Sequence, residues 1–261
     1  MSTNSAGGSR VAFFGGSFDP PHLGHIAVAE AAQRELSLDR VLFAPVGLQP
    51  LKPAGSAASF EDRVAMTRLA IAGHVGFEIS LLDAPGSGAQ SRNSKGLDGG
   101  KRGRAKPKKP NYTFDTLTAL RQSLGPEAEL FLLLGADSFR TLHNWHRAAE
   151  LVFLANLIVA SRPTPDPAPE CLTDVPACMP RGVAVEAIPG QPHRYSLSNG
   201  AGDRSLLIVL PHLDYDISAT QLRNLVQDTS SLSTRNGALL NPAVLDYIRE
   251  HGLYPAESAR T

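Results

Sequence analysis

Short apolar runs and helical stretches alternate along most of the chain. The runs Val11–Phe14, Val41–Val46, Phe77–Leu82, Leu130–Leu134, Asn156–Ala160, Val183–Ile188 and Leu206–Leu210 read as strands. Between several of them, Ile26–Leu36, Glu61–Ile71, Phe114–Leu124 and Ala148–Phe153 carry apolar residues at helical spacing. Continuous apolar strands separated by helices are the pattern of βαβ units, whose parallel sheet is covered on both faces. The right-handed crossover rule then gives an α/β fold, a doubly wound and mainly parallel sheet. Two further helices are expected late in the chain, at Ala219–Val226 and Pro242–Glu250, the second with its proline in the first turn.

Two segments break the alternation. Residues 84–110 are rich in Gly, Ser, Pro and base, with eight Lys or Arg against one acid between Arg92 and Lys109. With little beyond Leu97 to bury, such a segment cannot repay its ordering entropy, and it reads as a disordered basic insertion inside the domain. A solvated loop is the preferred account of it, over a tether for nucleic acid. The second interruption comprises "RPTPDPAPECLTDVPACMP" and the later "GQPHRYSLSNGAGD", which read as Pro- and Gly-rich connectors. The expected organisation is a disordered tail over residues 1–10, one domain over residues 11–255 and a short tail over 256–261.

Composition narrows the class. Lys plus Arg equals Asp plus Glu at 25 each, so the molecule as a whole offers no net field for steering a polyanion. Cys171 and Cys178 cannot build a disulfide framework, fit no zinc spacing and read as ordinary loop thiols. No stretch approaches the roughly 18 apolar residues that cross a bilayer, and residues 1–10 lack the apolar region of a signal peptide. A soluble cytoplasmic protein is expected, with no membrane partner.

The chemistry concentrates in "GGSFDPPHLGH", directly after the first strand. Gly15 and Gly16 let a ligand approach the main chain, and Asp19-Pro20-Pro21 forces a turn. His22 and His25 then flank the start of a helix, where backbone N–H groups carry partial positive charge. A strand end, two glycines, a helix N-terminus and two imidazoles form a phosphate site. "ISATQLR" repeats the theme, with Ser218 and Thr220 at a helix start and Arg223 one turn later, able to grip phosphate oxygens bidentately.

"GGSFDPPHLGH" resembles the H-x-G-H signature of the nucleotidyltransferase superfamily. "NYTFDTL", "LLLGADSFRTLHNWHRAAEL", "SRP", "ISATQLR" and "VLDYIREHGLY" follow in the order of the bacterial nicotinate-nucleotide adenylyltransferase family within it. The resemblance implies a Rossmann-like fold and the transfer of an adenylyl group from ATP to nicotinate mononucleotide. It implies that Gly15, Gly16, Ser17, Phe18, His22 and His25 meet the ATP phosphates, with Ser218, Thr220 and Arg223 as an opposing clamp and Lys52, after the second strand, reaching the phosphates as well. It places Gly135 and Asp137 on the adenosine side, and Tyr112, Thr113 and Trp145 around the pyridine ring. Mg²⁺ is expected with ATP, held by phosphates and water, so no metal ligand is assigned to the protein. The chain departs from the family pattern at Ala219, where a second serine is usual, and at Leu51, where the usual motif reads P-P-H-K. Competing readings are an adenylyltransferase for nicotinamide mononucleotide or phosphopantetheine, and a catalytically silent nucleotide- or RNA-binding regulator. The intact His22, His25, Ser17 and Arg223 argue against the silent form, and a homo-oligomer is compatible with either.

Overall fold

A computed structural model of the chain describes residues 8–47, 55–85, 111–160, 175–210, 222–223 and 239–255. The strands are β1 Arg10–Gly16, β2 Arg40–Pro45, β3 Phe77–Ile79, β4 Glu129–Gly135, β5 Asn156–Ala160, β6 Ala184–Ala187, β7 Arg194–Ser198 and β8 Arg204–Val209. The helices are α1 Leu23–Leu36, α2 Phe60–Ile71, α3 Thr113–Leu124, α4 Ala136–Arg140, α5 Ala148–Leu154 and α6 Pro242–Glu250. All eight strands form one sheet in the order β3-β2-β1-β4-β5-β8-β7-β6. The first six in that order run parallel, and β7 and β6 extend the sheet antiparallel.

Strand alternation builds two cores from the same strands. Ala12 and Phe14 of β1, with Val41, Phe43, Phe131 and Leu133, face the side covered by α1, α2 and α6. Val11 and Phe13, with Leu42, Leu130, Leu132 and Leu134, face the side covered by α3, α4 and α5. A sheet buried on both faces needs the continuous apolar runs seen in the sequence. The expected mainly parallel, doubly wound fold is the observed one.

The ends of elements differ from the pattern in instructive ways. Pairing starts at Arg10, one residue into the expected tail, and the Ser9 carbonyl accepts from Glu129 N–H at 2.9 Å. Strand β3 stops at Ile79 instead of Leu82, because Leu81 is exposed and Ala84 N–H closes a turn onto the Leu81 carbonyl. The segment "GQPHRYSLSNGAGD" is not only a connector: Arg194–Ser198 forms β7, paired with β6 and β8. Only Leu197 of that strand is fully buried, so it lacked the apolar run that marks the other strands. Cys178, expected as an ordinary loop thiol, is buried in a one-turn 3₁₀ helix. Cys171, Ala219–Val226 apart from Leu222 and Arg223, the terminal tails over 1–7 and 256–261, and residues 86–110 of the basic segment lie outside the described residues. Among the described residues no helix is long and apolar enough to cross a membrane.

Candidate active site

The sheet order reverses direction between β1 and β4. Chain order climbs from β1 through β2 to β3 on one side, then α3 returns it to β4 on the other. Beyond the carboxyl ends of those two strands a doubly wound sheet opens a crevice for ligand. The end of β1 supplies Gly15 and Gly16, and the end of β4 supplies Gly135.

The loop after β1 is tightly built. A Cβ on Gly16 would stand 3.1 Å from the Phe18 ring, so the glycine permits the chain to fold over that ring. Phe18 takes a left-handed backbone conformation (φ 47°) and is buried edge-on against Phe14, with ring centroids 5.5 Å apart. His22 caps α1 with extended backbone, and His25 sits at its third position. The two imidazole centroids lie 3.8 Å apart with the rings tilted by 34°, and the His22 backbone N–H donates to His25 Nδ1 at 3.2 Å. That bond makes Nδ1 an acceptor, so neutral His25 carries its proton on Nε2, as a donor.

Beneath this loop lies a buried polar hub that sequence reasoning did not assign. Asp19 is 4 % exposed. Its carboxylate accepts from Ala57 N–H (2.6 Å), Ala58 N–H (3.1 Å) and the Tyr254 hydroxyl (2.7 Å). Arg223 Nη1 donates to the Asp19 carbonyl at 2.8 Å and stands 4.0 Å from its carboxylate. The structure thus brings Arg223 to the loop that carries Ser17, His22 and His25. Arg63, equally buried, donates from Nη1 to the Ser17 carbonyl (2.7 Å) and from Nη2 to the Val46 carbonyl (2.8 Å). It therefore ties the loops after β1 and β2 together. Burial pulls the Arg63 guanidinium below its ordinary pKa, against the opposing charge of Asp19. The signal for Arg63 was present: it occupies the buried stripe of α2 with Met66, Thr67 and Ala70, where a charge without a partner would be expensive.

The residues expected around the pyridine ring lie on two neighbouring segments, the start of α3 and the loop that carries Trp145. Tyr112 caps α3 and Thr113 is its first residue. The Tyr112 ring lies 4.4 Å from that of His146, and the Arg147 guanidinium covers the Phe114 ring at 3.8 Å. These contacts hold the loop carrying Trp145 against the start of α3. Trp145 packs half-buried on the core of that face, and its buried Nε1 has no hydrogen-bond partner among the described residues. His146 is a further member of this wall that the motifs did not single out.

At Gly135, expected on the adenosine side, an added Cβ would meet no described atom within 4 Å. No packing among the described residues demands that glycine, which suits a position where a ligand needs the room. Asp137 opens the first turn of α4, exposed, and pairs with Arg140. Lys52, Ser218 and Thr220 lie outside the described residues.

A family model described as cytidylyltransferase-like matches residues 13–225, and the chain belongs to that family. The relatives are described more narrowly. A probable nicotinate-nucleotide adenylyltransferase of Gloeobacter violaceus is 33 % identical over 249 residues, covering 95 % of this chain and 97 % of the relative. One of Laribacter hongkongensis is 36 % identical, covering 95 % of this chain and 96 % of that protein. Among solved structures, the Plasmodium falciparum nicotinic acid mononucleotide adenylyltransferase complexed with NaAD shares the fold. Its TM-score is 0.63 at 16 % identity, covering 94 % of this chain and 97 % of that one.

Proposed function

We propose that the chain transfers the adenylyl group of ATP to nicotinate mononucleotide, giving nicotinate adenine dinucleotide and pyrophosphate. The observation that carries this reading is the meeting of His22, His25 and Arg223 at one loop, beyond the end of β1 and at a helix N-terminus. The names of relatives that align over nearly the whole chain supply the substrate pair.

In this reaction a phosphate oxygen of the mononucleotide attacks the α-phosphorus of ATP. The bond from that phosphorus to the bridging oxygen of the β-phosphate breaks, and charge grows on the departing pyrophosphate. No protein nucleophile is needed, so catalysis consists of alignment and charge stabilisation. His25 donates from Nε2, and His22, Ser17 and the backbone from Gly15 to Phe18 line the phosphates. Arg223, held at the same loop through the Asp19 carbonyl, is assigned to the phosphates with Ser218 and Thr220, and Lys52 reaches them from the segment after β2. Gly135 and Asp137 border the adenosine, and Tyr112, Thr113 and Trp145 border the pyridine ring. The imidazole and guanidinium groups among them are N–H donors, suited to phosphate oxygens and not to a hard cation. Mg²⁺ accordingly belongs on the nucleotide, where it neutralises phosphate charge. The reading places the enzyme in the cytoplasm.

The test is pyrophosphate release by the purified chain with ATP and, in turn, nicotinate mononucleotide, nicotinamide mononucleotide or phosphopantetheine. Release with the first substrate is expected. Efficient release only with another would overturn the substrate, and release with none would overturn the reaction.

A further inference from the structure

Asp83 is the one buried carboxylate besides Asp19 among the described residues, and nothing above uses it. It is 4 % exposed and lies just past β3, where three parts of the crevice meet. Its carbonyl accepts from Gly47 N–H at 2.8 Å, on the loop after β2. A Cβ on Gly47 would stand 2.9 Å from that carbonyl and 2.7 Å from Pro85 N, so the glycine is what lets the two loops touch. One carboxylate oxygen, Oδ2, lies 4.0 Å from where a Cβ on Gly15 would be, beside the phosphate loop. The other, Oδ1, accepts from the Thr116 hydroxyl at 2.5 Å. Thr116 is buried in the first turn of α3, one turn after Tyr112 and Thr113.

We propose that Asp83 is a positioning residue, fixing the first turn of α3 against the ends of β1 and β2 so that the pyridine-binding end of the site stays in register with the phosphate loop. This rests on the assignment of Tyr112 and Thr113 to the mononucleotide. The physical argument concerns desolvation. A carboxyl this deeply buried needs a donor, and Thr116 supplies one from the helix that presents Tyr112 and Thr113. Sliding or rotating the start of α3 would break that bond and leave the buried Asp83 carboxyl without its side-chain donor, while the Thr116 hydroxyl would keep only the Tyr112 carbonyl at 3.3 Å. Asn111 reinforces the same junction, its Nδ2 donating to the Ala84 carbonyl at 3.3 Å. ATP meets other parts of the protein in this reading, so the bond should govern one substrate and spare the other.

The experiment measures KM for each substrate and kcat in Thr116→Val, Asp83→Ala, Asp83→Asn and the Asp83→Ala/Thr116→Val double variant. In Thr116→Val and Asp83→Ala, KM for nicotinate mononucleotide should rise about tenfold, with KM for ATP within about twofold and kcat largely kept, the signature of lost ground-state positioning. Asp83→Asn retains an oxygen that can accept from Thr116 and should recover much of the loss. The double variant should be no worse than either single one, because both remove the same bond. Thr116→Val exchanges only a hydroxyl for a methyl and keeps the test open if Asp83→Ala does not fold. Equal rises in both KM values, an unchanged KM for the mononucleotide in folded variants, or an additive double variant would overturn the proposal. Failure of the wild-type chain to use nicotinate mononucleotide is a separate result, and bears on the activity alone.

Discussion

The Tyr254 hydroxyl donates to the Asp19 carboxylate at 2.7 Å, joining residues 235 positions apart. Burial, followed by the Asp19 charge and this hydrogen bond, pushes the Tyr254 phenol far above its usual range, so it stays protonated as a donor. Asp19 in turn accepts through its carbonyl from Arg223. The segment after α6 therefore supports the loop that carries the histidines. In Tyr254→Phe, Asp19 keeps its two backbone donors and loses the hydroxyl. A loss of about 1–3 kcal/mol in unfolding free energy is expected, together with a higher KM for ATP. Denaturant unfolding and steady-state kinetics measure both. Unchanged stability would mean that water replaces the phenol freely.

His25→Ala should lower turnover far more than it weakens ATP binding. The donor at Nε2 matters most as charge builds on pyrophosphate, and loss of one such donor typically costs about 2.7–4 kcal/mol, or roughly a hundred- to a thousandfold in rate. Single-turnover kinetics beside an ATP-binding isotherm separate the two effects. A folded variant with near-normal turnover refutes the role given to His25.

Discrimination between acid and amide should be a property of the N-terminal end of α3, not of the aromatic wall. If the mononucleotide binds as proposed, backbone N–H donors near Tyr112 and Thr113 would pair with both oxygens of its carboxylate, whereas a carboxamide would turn its NH₂ toward one of them. An unpaired buried donor costs about 1–3 kcal/mol or more, so a preference of at least roughly a hundredfold for nicotinate mononucleotide is expected. Trp145→Ala should harm both mononucleotides alike and leave the ratio largely unchanged. Competition between the two substrates in wild type and variant measures it. A ratio that collapses in Trp145→Ala would move the selectivity to the indole.

Replacing Gly86–Lys108 by a short Gly/Ser linker should preserve the fold and most activity. The Asn111 side chain reaches the Ala84 carbonyl, so the chain leaves and rejoins the domain at nearly one point. Closing a shorter loop between such ends changes stability only slightly. Thermal unfolding and initial rates of the linker variant check this. Lost activity in a folded variant would give the basic segment a part in substrate binding.

Asp83 should leave a pH signature in stability. Burial, opposed in part by the Thr116 hydroxyl, pushes its carboxyl from 3.8 up to about 6. The folded chain thus holds this proton more tightly than the unfolded one. The contribution of Asp83 is most favourable below a pH of about 4 and falls as pH rises through about 6, by on the order of 2–3 kcal/mol. Asp83→Asn lacks this titration, so it should gain on the wild type between pH about 4 and about 7 and then hold level. A difference that stays constant across that window would place the Asp83 titration elsewhere.

The sequence was most legible where burial is two-sided. Strands β1, β4 and β5 are apolar at every central position, and their limits fall within a residue or two of the expected ones. Strand β7 escaped notice because it lies near the sheet edge with one fully buried residue, so its alternation is faint beside the Gly and Pro around it. Within the site, the histidines and Arg223 were visible because their spacing is itself a chemical pattern. Arg63, Asp83 and Tyr254 act through long-range bonds to Ser17, Thr116 and Asp19, and no local spacing encodes a partner 33 to 235 residues away.

The separation of Asp19 from Tyr254 also sets an order of events during synthesis. Asp19 emerges early, and 235 further residues must be added before its phenolic donor exists. At typical elongation rates of about 5–20 residues per second, that interval is roughly 12–47 seconds. Throughout it the carboxylate must be satisfied by water or by Ala57 and Ala58, and the guanidinium of Arg223 arrives only after most of the wait. The nascent chain can thus pair β1 with β2 long before the loop after β1 takes its final shape.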